Sequence, residues 1–271
     1  MKIAICYSGF LRDIQSTYLN LKKCIVGEHD IDFFIHTWDV KEYYDEINFA
    51  KNIIKPKIIF CEKQKPFEMN PYNFINSKVT PEEYQNELNL NRKKLYELGE
   101  DKKFFPPPSE ENEFNFVKDK EVLKLWHYGC IPYNILSQYY SIHKSNELKK
   151  IYEYQNDIKY DCVMRMRSDL IFNAHIDPLN CDMNYLYALN RGSHRGTELN
   201  LCDLFAFSSS DNMDIYSDCF LFIPTIYFTY GTDFIPEILL DKYIQIRNIK
   251  TKKIPDIVTV IRNSLHKEKL L

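Results

Sequence analysis

The chain has 271 residues, a formal net charge of −3, 45% hydrophobic and 27% charged residues. It is long enough to bury a substantial core, and its composition excludes a disordered or fibrous protein. No long basic run is available to displace counterions from phosphates, which argues against nucleic acid as a partner.

Lys2 to Tyr7 is a short apolar run that halts at Ser8-Gly9, the pattern of a buried parallel strand followed by a turn. Ile14 to Ile25 reads as a helix, with Leu19, Leu21, Cys24 and Ile25 near one face. Asp32 to Ile35 is a second strand that ends at His36-Thr37-Trp38-Asp39. Tyr43 to Ala50 is weakly helical, and Lys57 to Cys61 supplies a third strand. Strand and helix alternating from the first residue predict an α/β domain with a mostly parallel sheet flanked by helices.

The region from 62 to 124 breaks that rhythm with Asn, Glu, Lys and Pro, including Pro106-Pro107-Pro108. Long irregular stretches inside a domain usually carry function, so it is expected to be an insertion or lid within one domain spanning 1–271. A long helix, 131 to 155, follows. On it Asn134, Gln138, Ser141 and Ser145 recur every three or four residues, a polar stripe that either lines a pocket or faces water. Asp161 to Phe172 reads as one buried strand. Asn184 to Leu189 is another apolar segment, leading into a loop from Asn190 to Gly196 with two Arg and a His. Leu204 to Phe207 is a further strand, and Ser208 to Asn212 caps a short helix.

The chemistry sits where an open α/β sheet gathers its ligands, beyond the carboxyl ends of strands. Arg165, Arg167 and Asp169 put two fixed positive charges and one anion together, which suits a diphosphate and a divalent ion; a purely structural ion pair is the alternative. Tyr7, Ser8, Gly9 and Arg12 form a second group, read as a phosphate-approaching turn or a plain strand-to-helix turn. His36, Thr37 and Trp38 offer an aromatic plane for a base or sugar, or else a buried Trp with a satisfied His. Asp203, Asp233 and Glu237 are candidate general bases for an acceptor hydroxyl, or surface acids and helix caps.

The 8 cysteines have no Cys-x-x-Cys pair and sit mostly in apolar runs, so they read as small buried hydrophobes. The start of the chain is too soon interrupted by Ser8, Gly9 and Arg12 to be a secretory signal. Reduced thiols and a cytoplasmic location are the expectation. The longest apolar run, Cys219 to Phe228, is about half of a membrane span and contains Pro224.

Four stretches together resemble a family of small GT-A-like glycosyltransferases, Rossmann-like in fold, found in bacterial capsule and lipopolysaccharide loci and in large DNA viruses. They are Lys2 to Arg12, Asp32 to Trp38, Tyr160 to Leu170, and Cys202 to Ser208 leading to Met213 and Tyr216; Pro236-Glu237 then looks like the acidic helix start of such enzymes. The resemblance implies transfer of a sugar from a nucleotide-sugar donor, UDP-linked or otherwise, to a glycan-type acceptor in polysaccharide biosynthesis. Tyr7, Ser8, Gly9, Arg12, His36, Thr37, Trp38, Gln138, Arg165, Arg167 and Asp169 would then serve the donor. Asp169 falls at the last position of the family's Asp-x-Asp metal motif, but Arg167 occupies the place of the first Asp. A Mn²⁺ or Mg²⁺ cofactor is therefore left open, because arginine can neutralise a diphosphate instead. A non-catalytic sugar- or nucleotide-binding module and a nucleotidyltransferase are the competing readings. Peripheral membrane contact and oligomeric state are not decided by these residues.

Overall fold

The computed structural model describes residues 1–25, 28–64, 132–190, 201–230, 232 and 235–261. The 65–124 part of the expected insertion, the loop from Arg191 to Gly196 and Asp233 lie outside them.

A seven-stranded sheet runs in the order β3-β2-β1-β4-β7-β6-β8. Its strands are β1 (Lys2–Ser8), β2 (Asp30–Trp38), β3 (Ile58–Glu62), β4 (Cys162–Met166), β6 (Leu186–Asn190), β7 (Leu201–Ser208) and β8 (Thr251–Ile254). Every pairing is parallel except those of β7 with β4 and β6. The mostly parallel α/β sheet expected from the alternation is thus present. A separate two-stranded sheet joins β5 (Leu170–Phe172) to β9 (Val258–Val260), antiparallel.

Side chains alternate along each strand and split the core in two. Ala4, Cys6, Phe34, Trp38, Val163 and Ala206 face one way. There they pack under α3 (Pro132–Asn156), α4 (Ser210–Ser217), α5 (Cys219–Tyr230) and α6 (Pro236–Ile246). Ile3, Ile5, Tyr7, Phe33, Ile35, Met164 and Phe205 face the other way, against α1 (Ile14–Cys24) and α2 (Tyr44–Phe49). The apolar run at Cys219 forms α5, and no helix among the described residues is long and apolar enough to cross a membrane. The seven described cysteines carry free thiols. Burial pushes the Cys6 thiol up to about 12, with Lys149 opposing.

Three boundaries differ from the sequence reading, each for a tertiary reason. β2 continues through Trp38, because Phe34 to Trp38 pair with β3 along its whole length. Asp203 lies inside β7, which begins at Leu201. The expected strand from Asp161 to Phe172 is two strands in two sheets: β4 stops at Met166, and β5 resumes at Leu170 beside β9. Burial on both sides of the break hides it from hydrophobic periodicity.

A buried cation locks α3 to α4. Lys149 Nζ, fully buried, lies 2.7 Å from Asp214 Oδ1 and 3.0 Å from Glu153 Oε2, and donates to Ser210 Oγ at 2.5 Å. Removing one partner of such a network leaves uncompensated charge in the interior. Lys149→Met is therefore expected to lower unfolding free energy by about 3 kcal/mol, measured by urea denaturation; an unchanged midpoint would show that the network does not bear on stability.

Candidate active site

The carboxyl ends of β1 and β4 lie side by side, while the chain leaves β1 through α1 toward β2 on the opposite flank. This is a switch point of strand order, the place where open α/β sheets leave a crevice. A cleft of about 310 Å³ opens there. Its floor is Ser8, Gly9, Phe10 and Arg12 from β1 and the following turn, with Arg165, Arg167 and Asp169 from the end of β4. Its walls are Trp38, Gln64 and three residues of α3: Asn134, Ser137 and Gln138.

Gly9 makes the turn in the left-handed region, at φ +94°, where a side chain is strained. Its N–H donates to Ser141 Oγ at 2.5 Å. Ser141 Oγ is also 2.7 Å from His36 Nδ1, and His36 Nε2 is 3.1 Å from Glu62 Oε1. Tyr140 O–H donates to the same Glu62 oxygen at 2.8 Å. This relay pins the turn to α3 and to the end of β3. From the other side Ser168 Oγ lies 2.9 Å from both Phe10 O and Arg12 O, and Thr17 Oγ1 donates to Ser168 O at 2.5 Å. The loops after β1 and β4 are thus tied to each other as well as to their strands.

The electrostatics turn on three guanidinium groups. Arg165 is 1% exposed, and its Nε, Nη1 and Nη2 have no hydrogen-bond partner among the described residues. Its register neighbours are the small side chains Cys6 on β1 and Ala206 on β7, which leave it room on the α3 face. Tyr216 lies near it; burial pushes that phenol's pKa up while Arg165 opposes. Arg12 sits 5.2 Å above the Phe10 ring, with Nε buried and without a partner among the described residues. Arg167 instead makes a two-pronged pair with Asp169, Nε to Oδ1 at 2.8 Å and Nη2 to Oδ2 at 2.5 Å. Burial disfavours the charged form of Arg167, but Asp169 outweighs it and raises the pKa.

The sequence-predicted residues divide cleanly. Ser8, Gly9, Arg12, Trp38, Gln138, Arg165, Arg167 and Asp169 meet at the cleft. Tyr7 and Thr37 do not line it: strand alternation turns Tyr7 to the α1 face, where it stacks on Phe33, and buries Thr37 completely. His36 also stays off the cleft surface, buried beneath it with Trp38 edge-on at 4.9 Å. It bears on the site through Ser141. Asp203, 6% exposed, accepts a hydrogen bond from Gln138 Nε2 and lies within electrostatic reach of Arg167. Glu237 stands in the first turn of α6, near Tyr139, and does not line the cleft.

The polar stripe on α3 points inward. Asn134 and Gln138 reach the cleft, Ser141 holds Gly9, and Ser145 bonds back to Ile142 O. Ser137, Phe10 and the Ser168 tie were missed by sequence reasoning. Ser137 could have been found from its spacing of three after Asn134, whereas the Ser168 tie has no local signal.

The donor set does not fit a protein-held divalent ion. A Mg²⁺-type ion at a phosphate site takes one or two carboxylates and fills its shell with waters and substrate phosphates, but here both Asp169 oxygens accept from Arg167 and Asp203 Oδ2 accepts from Gln138. Among the described residues no group of three His, Cys, Asp or Glu side chains could hold a metal.

No family model and no curated protein matches the chain. Among solved structures 117 chains match. One is an active-site mutant of LgtC, at a TM-score of 0.42 and 12% identity over 93% of this chain and 72% of that one. A likeness this loose bears no weight for the site, and the α/β assignment rests on the strand order described above.

Because an added Cβ at Gly9 meets nothing within 4 Å, the cost of a substitution there is conformational. Gly9→Ala is expected to destabilise the protein by about 1–3 kcal/mol through the positive φ, read from thermal or urea unfolding. Unchanged stability would mean that the turn does not hold this backbone.

Proposed function

We propose that the chain is a glycosyltransferase that moves a sugar from a nucleoside-diphosphate donor to a hydroxyl acceptor. The observation that carries this reading is the buried guanidinium of Arg165, without a partner among the described residues, at the β1–β4 switch point, facing the same cleft as Gly9 and Arg12. A buried cation without a partner is costly in the free protein, so an anionic ligand there recovers its desolvation. Arginine forks match phosphate oxygens in pairs, and the glycine turn lets backbone approach them.

The α3 wall supports a donor with a polyhydroxyl part. Trp38 borders the cleft from within the core, 1% exposed and stacked on Tyr140 at 5.7 Å, so it shapes the cleft and presents no open face to a base. Asn134, Ser137 and Gln138 line α3 with groups suited to sugar hydroxyls. The resemblance of the four motif stretches to GT-A-like glycosyltransferases points the same way. In the transfer, the bond from the anomeric carbon to the phosphate oxygen breaks and its electron pair leaves with the nucleoside diphosphate. The acceptor oxygen forms the new bond, and its proton passes to a carboxylate. Asp203, one hydrogen bond behind the cleft-lining Gln138, is the carboxylate we assign to take it.

The test is a thermal-shift panel of UDP-, GDP-, dTDP- and CMP-sugars followed by product analysis. At least one diphosphate donor is expected to raise Tm by roughly 5 °C when present at about a hundredfold excess over its Kd, and slow donor hydrolysis should release nucleoside diphosphate. Arg165→Met should cut the shift to about half or less. No response to any donor, with or without Mn²⁺, overturns the proposal, and release of pyrophosphate assigns the chain to nucleotidyl transfer instead.

A further inference from the structure

We propose that the donor's diphosphate is neutralised by guanidinium groups built into the sheet, so that binding needs no divalent cation, and that Asp169 serves as a positioning residue for Arg167. This rests on the donor-binding reading of the cleft given above.

Charge matching is the first reason. Three guanidinium groups, Arg12, Arg165 and Arg167, face the cleft against one lining carboxylate, Asp169. The surplus of two positive charges equals the charge of a diphosphate diester. Breaking the sugar–phosphate bond adds one negative charge to the leaving diphosphate. Arg165 can meet that charge without delay, because its nitrogens are already desolvated and are engaged by no described residue.

Geometry is the second. Arg165 is confined between Cys6 and Ala206 on a paired strand, so its charge is preorganised as a bound ion's would be. Arg167 is fixed by two bonds from one carboxylate, which aims the rest of its fork. Asp169 therefore spends both oxygens on orienting an arginine, leaving little with which to ligate a metal. Phosphate oxygens also satisfy Arg165, which Mn²⁺ at Asp169 does not.

The wild-type chain is titrated with UDP, GDP and dTDP by calorimetry, once with EDTA present and once with Mn²⁺. At least one of the three is expected to bind in EDTA, with Kd changed by less than about threefold on adding Mn²⁺. Arg165→Met should weaken that binding by roughly 10- to 100-fold while the ligand-free protein melts no lower than wild type. Arg165→Lys, which keeps a charge but not the fork, should fall between. Arg167→Ala and Asp169→Ala should weaken binding by similar factors, with the double variant no worse than either, because the two act as one unit. Binding seen only with Mn²⁺ and lost in Asp169→Ala overturns this inference but leaves the glycosyltransferase reading intact. Additive losses at 167 and 169 overturn the positioning role. Absence of binding under both conditions overturns the donor-binding reading itself.

Discussion

Parallel pairing of β1 with β4 is the constraint on which the site depends. It stands Cys6 opposite Arg165 and Tyr7 opposite Met166, so the turn at Gly9 and the loop at Arg167 leave the sheet at the same height. The two loops are then tied by Ser168, whose hydroxyl lies against Phe10 O and Arg12 O. A one-residue slip in that register would move Arg165 to the α1 face, into the apolar layer of Ile3, Ile5 and Tyr7.

Around this pairing, α3 is both a structural strut and a wall of the cleft. Its buried face packs Ile135, Tyr139 and Ile142 on the sheet. One end offers Asn134, Ser137 and Gln138 to the cleft, and the opposite end is anchored to α4 through Lys149. Between them, Ser141 accepts the Gly9 N–H. The position of the polar wall relative to the glycine turn is therefore set by a network that reaches well beyond the cleft. Burying Lys149 with two carboxylates stabilises little in net terms compared with an apolar core. It does penalise any shift of α3 along the sheet.

The site combines strong and relaxed electrostatics. Arg167 and Asp169 satisfy each other, whereas Arg165 holds its charge in a nearly dry pocket without a described partner. Ordinary folding avoids that arrangement, and functional sites retain it because a ligand completes it. In the Arg-x-Arg-Ser-Asp run the second arginine and the acid form an ion pair, and the first arginine, without a described partner, is the group that the proposed function assigns to a ligand.

Local pattern carried much of this. Apolar runs and the alternation of strand with helix made the parallel α/β sheet legible, the three-to-four spacing on α3 exposed its polar stripe, and Gly9 marked a turn that needs a positive φ. These follow from periodicity and backbone chemistry, which act within a few residues. Tertiary structure alone decided that Tyr7 and Thr37 face away from the cleft while Ser8 and Trp38 line it, that His36 acts through Ser141, and that the run from Asp161 to Phe172 divides between two sheets. Each depends on which strand lies alongside which, and so on contacts between residues tens of positions to more than a hundred positions apart. No window along the chain contains them.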